Sequence, residues 1–296
     1  MQLVILRYNK QYDVLIVRLK DGCVIETFVS IIKDNWQSRQ QIMSLAIFEL
    51  MKRSRGSVLS WAWLFIRPAI YLFCFWFAFE IGMRAARDMG EGMPPYFLWL
   101  SSGIIPWFFM QEMFGSNGVN VFKRYSYLVN KVKFPVPSIP FFMTVSAMLI
   151  QLVLQVALLV IYLVNGMHFD IYLIQIPIIL ILMFIFWYFV SLMFSTISAI
   201  SNDFSNFMAA MSTPFFWLSG VIFDVTRIDV PVVNELLLIN PITFFVSAFR
   251  DALYYKTWFW DDSLKFTCFA VVFVLTIVVS IFVFKRLGKE DRKSVV

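Results

Sequence analysis

The sequence predicts an all-α integral membrane protein with six transmembrane helices, and three observations predict it. Of its 296 residues, 60% are hydrophobic and 15% charged, against roughly 25% charged for a soluble domain. A bilayer core about 30 Å thick needs roughly 20 helical residues. Six apolar runs come near or exceed that length, at about 58–79, 95–116, 139–164, 172–200, 207–223 and 264–285. Lysine and arginine, finally, collect in alternate short loops between these runs.

Residues 1–35 read as a cytoplasmic extension that mixes charges with short apolar runs and lacks the clean apolar core and small-residue cleavage site of a signal peptide. VLIVRL and VIETFVSI flank Lys20, Asp21, Gly22 and Cys23. Asp-Gly between such runs is a hairpin signal, so a β-hairpin is expected here, resting on a partner surface.

Residues 36–57 predict an amphipathic helix. Trp36, Met43, Ile47, Leu50 and Met51 recur at helical offsets, with Gln37, Arg39, Gln41, Ser44 and Lys52 on other faces. Such a helix lies in the membrane interface ahead of the first span; the alternative is a cytoplasmic helix packed on soluble protein.

The membrane domain is expected over 58–288, followed by a cytoplasmic tail at 289–296. Its fifth apolar run is short and leads into VIFDVTRIDVPVVNELLLINPITFFVSAFRDALYY, apolar but studded with charge. This segment predicts short re-entrant helices between the fifth and sixth spans. Irregular backbone at membrane depth survives only where protein or a water-filled cavity satisfies it, so they must pack on the bundle.

Orientation follows the basic residues. Lys52, Arg53 and Arg55 precede the first span. Lys123, Arg124, Lys131 and Lys133 separate the second from the third, and Lys285, Arg286, Lys289, Arg292 and Lys293 follow the last. All three clusters fall on one side, which places both termini in the cytoplasm of a multi-pass plasma (inner) membrane protein. Glu80, Arg84, Arg87, Asp88, Glu91, His168 and Asp170 fall on the other.

Several functions are disfavoured by what the chain lacks. No G-x-x-x-x-G-K-[ST] phosphate loop occurs; Gly288 and Lys289 lack its flanking residues. The single histidine, His168, reads as a solvated loop residue, and no metal-ligand spacing or G-x-S-x-G elbow accompanies it. Cys23, Cys74 and Cys268 are widely spaced and suit neither zinc nor a disulfide framework. No cofactor, no metal, no catalytic residue and no nucleic-acid partner is expected of this chain.

Arg67 falls about ten residues into the first span, where an unpaired guanidinium costs at least about 2.5 kcal/mol. It must face protein or water. Two roles compete: a cation in a cavity that meets a phosphate-bearing substrate, and a structural partner for a buried acid such as Glu112. Pro68, next in the chain, lacks an N–H and should loosen the helix there. Aromatic residues are dense in the first span, with Trp61, Trp63, Tyr71, Phe75 and Trp76, and in the fifth, with Phe215, Phe216 and Trp217. Interface belts and helix packing account for such residues, and the same flat faces stack on sugar rings.

The stretch LVNKVKFPVPSIPFF at 128–142 concentrates two lysines and three prolines between apolar runs. GIIPWFF at 103–109 followed by YLVNKVKFP at 127–135 resembles the type-2 ABC permeases that export O-antigen, capsule and teichoic acid polymers. RGSVLSWAWLFIRP at 55–68, the Ser201-Asn202-Asp203 turn and NPITFFVSAFR at 240–250 extend the resemblance in the expected order. It implies a six-helix half-transporter with an amphipathic gate helix, working as a homodimer with two copies of a separate ABC ATPase that carries ATP and Mg. It also implies that Lys123, Arg124, Asn130, Lys131, Val132, Lys133, Phe134 and Pro135 form the ATPase-coupling segment, aided by Asn202 and Asp203. Pro135, Pro137 and Pro140 stiffen this connector, as a push from a docked subunit requires. A substrate path along Trp61, Trp63, Arg67, Tyr71, Phe215, Phe216 and Trp217 would take a lipid-linked, undecaprenyl-type glycan in contact with membrane lipids. The arginine before the family proline and the first 35 residues depart from the family pattern.

The runner-up is an exporter of a small molecule or drug from the same superfamily. An ion-coupled carrier would show inverted repeats and paired midplane charges, which this chain does not. A membrane glycosyl- or acyltransferase would need a catalytic cluster, and Asp224, Asp229, Glu235, Asp251, Asp261 and Asp262 are scattered along a solvated segment.

Overall fold

The computed structural model describes residues 24–54, 62–82, 95–131, 134–225 and 237–290, with Ile228, Val230 and Val233 between the last two stretches. Among them the chain is helical and contains no strand. Trp61, Val132, Lys133, the first arm of the expected hairpin and the tail at 291–296 lie outside the described residues.

Two helices precede the membrane domain: α1, Val24–Gln37, and α2, Arg39–Ser54. VIETFVSI is therefore helical, which corrects the hairpin expectation. Its β-branched residues favour strands only weakly and by context, and here Ile31 gains burial against Tyr188, Phe189, Leu192, Ile281 and Phe284. The turn at Ser38 also splits the apolar row read from Trp36 to Met51. Met43, Ile47 and Met51 stay exposed on α2, whereas Ile42, Ala46, Glu49 and Leu50 are buried.

Helix α3, Trp63–Trp76, runs through Pro68 and passes into a π-helical turn at Phe77–Gly82. Helix α4, Tyr96–Phe114, buries 15 of its 19 residues and is the central element. Its largely apolar sequence, with Gln111 and Glu112 near the end that meets the connector, suits a helix surrounded by protein. Short helices α5 (Ser116–Val119), α6 (Val121–Arg124) and α7 (Ser126–Lys131) form the connector. Long helices follow: α8, Ser138–Val164, and α9, Gln175–Ile200, the latter entered by a 3₁₀ turn at Ile171–Ile174.

Helix α10, Asn202–Leu218, starts where the Ser201 hydroxyl accepts from the Phe204 amide at 3.3 Å. Helix α11, Pro241–Arg250, starts on Asn240, whose side chain accepts from the Ile242 amide at 3.0 Å, with Pro241 at its first position. A π turn, Asp251–Tyr255, links it toward the last helix, α12, Ser263–Glu290.

Among the described residues, four segments are long and apolar enough to cross a membrane: Trp63–Gly82, Ser138–Val164, Ile171–Ile200 and Ser263–Leu287. They correspond to the first, third, fourth and sixth expected spans. The second appears as the buried α4, and the fifth as the 17-residue α10. Helices α3 and α10 remain largely uncovered: α3 buries none of its residues, and α10 only Met208 and Phe216.

Candidate functional site

A cavity of about 770 Å³ opens between α2, α3, α4, α8 and α10. Its wall mixes charge with apolar surface: Glu49 and Arg53 from α2, Arg67 and Tyr71 from α3, Glu112 from α4 and Gln151 from α8. Arg67 is exposed into this space and has no ion pair or hydrogen bond among the described residues. The pairing with Glu112 that would have explained it does not form. Glu112 is held instead by the Arg53 guanidinium at 2.5 Å and by the Asn117 amide at 2.8 Å. Gln151 is 1% exposed, yet neither polar atom of its amide has a hydrogen-bond partner among the described residues. A buried amide of this kind is costly, and it stands in the cavity wall with its polar atoms covered.

One edge of the cavity is an ionic node. Glu49, buried on α2, accepts from the Tyr125 hydroxyl and from the Arg124 guanidinium at 3.3 Å. Arg53, one turn along α2, stands 3.6 Å from the same carboxylate. Arg124 also donates to the Asn117 side chain at 2.8 Å and to its carbonyl at 3.0 Å. Burial, and then the Glu49 carboxylate beside it, push the Tyr125 phenol well above its usual range, so it stays protonated and donates. The surface helix α2, the end of α4 and the connector α5–α7 are thereby joined through side chains.

The connector also meets the turn before α10. Lys123 Nζ donates to Asn202 Oδ1 at 2.7 Å, and Asn120 Oδ1 accepts from Ser198 and Ser205, each at 2.9 Å. Two residues singled out separately in the sequence, Lys123 and Asn202, are thus brought together; Asp203 is exposed beside them. Phe134 is buried, and Pro135 half-buried, ahead of α8.

The aromatic candidates divide. Trp63, Arg67 and Tyr71 line the cavity. Phe216 is 4% exposed and packs its ring on Tyr71, Phe75 and Trp107, and Phe215 packs edge-on against Phe114. These two support the wall without facing the space. Trp217 is exposed on the outer side of α10. Sequence reasoning missed Glu49 and Gln151. The only signal for either was a polar residue within an otherwise apolar helical row.

A second polar assembly fixes the region after α10. Arg250, fully packed, donates to the carbonyls of Gly220 at 2.6 Å, Val221 at 2.5 Å and Phe223 at 3.2 Å, and its guanidinium lies 3.7 Å from the Trp99 ring centre. Gly220 adopts φ +66°, the left-handed conformation suited to glycine. Gly103 of α4 makes room: a Cβ there would fall 2.7 Å from Arg250 Nη2 and 2.9 Å from the Val221 carbonyl. This clamp holds irregular backbone by satisfying it internally.

Four helices long and apolar enough to cross a bilayer among the described residues, two of which, α3 and α8, wall a polar cavity lined by arginine, define a membrane protein of the transport class. Residues 40–254 match the ABC-2 type transporter family, and the chain belongs to it. The match begins at the start of α2 and ends within the π turn after α11. Among its relatives is an O-antigen export system permease protein RfbA of Myxococcus xanthus, 22% identical over 228 residues, 76% of this chain and 85% of the relative. Two proteins of the same name from Klebsiella pneumoniae are 23% and 24% identical, over 81% and 78% of this chain and 88% and 85% of theirs.

Proposed function

We propose that this chain is the permease subunit of an ABC exporter that moves a lipid-linked, undecaprenyl-type polysaccharide or teichoic acid polymer outward across the plasma membrane. The names of the relatives support the polymer reading, since three O-antigen export permeases align over most of their length. The observation that carries it is Arg67, a guanidinium that faces a cavity beneath an amphipathic helix and has no partner among the described residues. A planar donor fork suits the phosphate of a lipid carrier, and Trp63 and Tyr71 offer ring faces for sugars.

The working unit is a homodimer of the six-span permease with two ABC ATPase subunits, which carry ATP and Mg. A second copy covers the apolar faces left open on α3 and α10, including Phe65, Ile70, Phe73 and Phe207. ATPase docking falls on Lys123, Arg124 and the segment from Asn130 to Pro135, with Asn202 and Asp203 beside it. Both termini lie in the cytoplasm. In support, the basic residues Arg53 and Arg124 meet around Glu49, so two of the three basic clusters converge on one end of the bundle. Helix α11 and the π turn after it re-enter the membrane from the opposite face.

The test is reconstitution with the partner ATPase in vesicles loaded with a polyprenyl-pyrophosphate-linked oligosaccharide. ATP-dependent transfer of the glycan between leaflets is the expected result. Transfer of amphipathic dyes without transfer of the glycan would replace this reading with the small-molecule exporter.

A further inference from the structure

Helix α1 lies ahead of the region that matches the family, and its three faces differ in kind. At about 100° per residue, Thr27, Ile31 and Asn35 share one face, and all three are buried against the bundle. Asn35 fixes this side: its Oδ1 accepts from Ser138 at 2.6 Å, and its Nδ2 lies 3.4 Å from the Tyr188 hydroxyl. The next face carries Ile25, Val29, Ile32 and Trp36, which are 70%, 56%, 53% and 69% exposed. The third carries Glu26, Ser30, Lys33 and Gln37.

We propose that α1 is a membrane-surface helix whose Ile25–Val29–Ile32–Trp36 row inserts into the leaflet on the side where α12 ends. A helix with a protein face, an apolar face and a polar face meets three media at once, and that is the situation at the edge of a membrane protein in the lipid interface. Depth supports the same occupant. Ile31 packs on Ile281 and Phe284 near the end of α12, and Lys285 and Arg286 follow immediately. Helix α1 therefore sits where the membrane-crossing helix gives way to basic residues, at headgroup level. Helix α12 itself exposes apolar residues close to this end, Val278, Val279 and Phe282. Trp36, an interface residue by preference, stacks with the Arg39 guanidinium at 5.1 Å, pairing a ring with a phosphate-seeking cation.

The experiment places nitroxide labels on the full chain in phosphatidylethanolamine/phosphatidylglycerol vesicles, in a background of Cys23→Ser, Cys74→Ser and Cys268→Ser. Labels at Val29→Cys and Ser30→Cys compare adjacent residues on two faces, both exposed and so tolerant of substitution. Collision with oxygen should dominate at position 29, and collision with a nickel chelate at position 30, giving depth parameters of opposite sign. A Val274→Cys label on the exposed side of α12 sets the lipid reference. Equal access of the nickel chelate to both positions would put α1 in water and overturn the proposal. Shielding of position 29 from both reagents would mean that protein covers the row, and would overturn it equally.

Discussion

The buried carboxylate of Glu49 and the guanidinium of Arg124, 75 positions apart in the chain, meet at 3.3 Å. Tyr125 and Arg53 share the same carboxylate, so one acid on α2 holds the connector to the surface helix. Removing it takes one acceptor from Arg124 and Arg53, which keep Asn117 and Glu112, and leaves the buried Tyr125 hydroxyl without its carboxylate. Because Arg53 and Arg124 are partly exposed, water recovers some of the loss, and Glu49→Ala should cost about 2–3 kcal/mol. Glu49→Gln, which keeps an acceptor, should cost less. Thermal unfolding of the detergent-purified protein measures both, and an unchanged melting temperature for Glu49→Ala would remove the node from the stability of the fold.

Gly103 and Arg250 form a tighter pair. A methyl group at 103 cannot coexist with the guanidinium as placed, nor with the Val221 carbonyl, which is backbone and yields less readily. Gly103→Ala should therefore cost about 1–3 kcal/mol, as for overpacked cores. Arg250→Lys should also destabilise, since an ammonium lacks the flat fork that reaches three carbonyls while lying on Trp99. The two changes act on one contact, so their costs should fall short of additive. Full additivity in the double variant would show that the contact is not what Gly103 provides for.

Helices α8, α9 and α12 were legible because length and apolarity alone define a crossing. The environment of α4 was not legible, since a predominantly apolar 19-residue helix looks alike whether lipid or protein surrounds it. For α1 the local signal was misleading. VIETFVSI holds five β-branched residues in eight, and the burial of Ile31 among residues more than 150 positions away decided for helix. At the site, Arg67 announced itself by its cost in an apolar run. Glu49 did not, because an acid on an amphipathic helix has the appearance of a solvated face, and its partner is visible only after folding. The aromatic count likewise could not separate Tyr71, which faces the cavity, from Phe216, which supports it.

Lys123 and Asn202 connect the two stretches proposed to meet the ATPase, and both side chains are exposed. An exposed contact of this type contributes little to stability, about 0–1 kcal/mol. Lys123→Glu should leave the melting temperature nearly unchanged while weakening the complex with the ATPase, and Lys131→Glu and Lys133→Glu should act in the same direction. Copurification of the ATPase and its stimulated hydrolysis rate report the effect. If assembly and stimulation persist in the triple variant, the docking surface lies elsewhere.

Arg67 allows transport to be separated from folding. It has no partner among the described residues and is exposed to the cavity, so Arg67→Met breaks no bond within the fold and should leave the melting temperature unchanged or slightly raised. If the guanidinium holds the phosphate of a lipid-linked substrate, its loss removes charge-assisted hydrogen bonds of about 1.5–3 kcal/mol, a roughly 10- to 150-fold weakening of substrate affinity. Arg67→Lys should recover only part, because an ammonium lacks the bidentate fork. The measurement is substrate-dependent ATPase stimulation across a titration of lipid-linked glycan, with basal hydrolysis as the internal reference. A shift of the half-stimulating concentration with basal activity intact is the expected pattern. An unshifted titration in Arg67→Met would take this arginine out of the substrate path and leave the cavity's remaining polar lining, the node of Arg53, Arg124 and Glu49 with Glu112, to account for recognition.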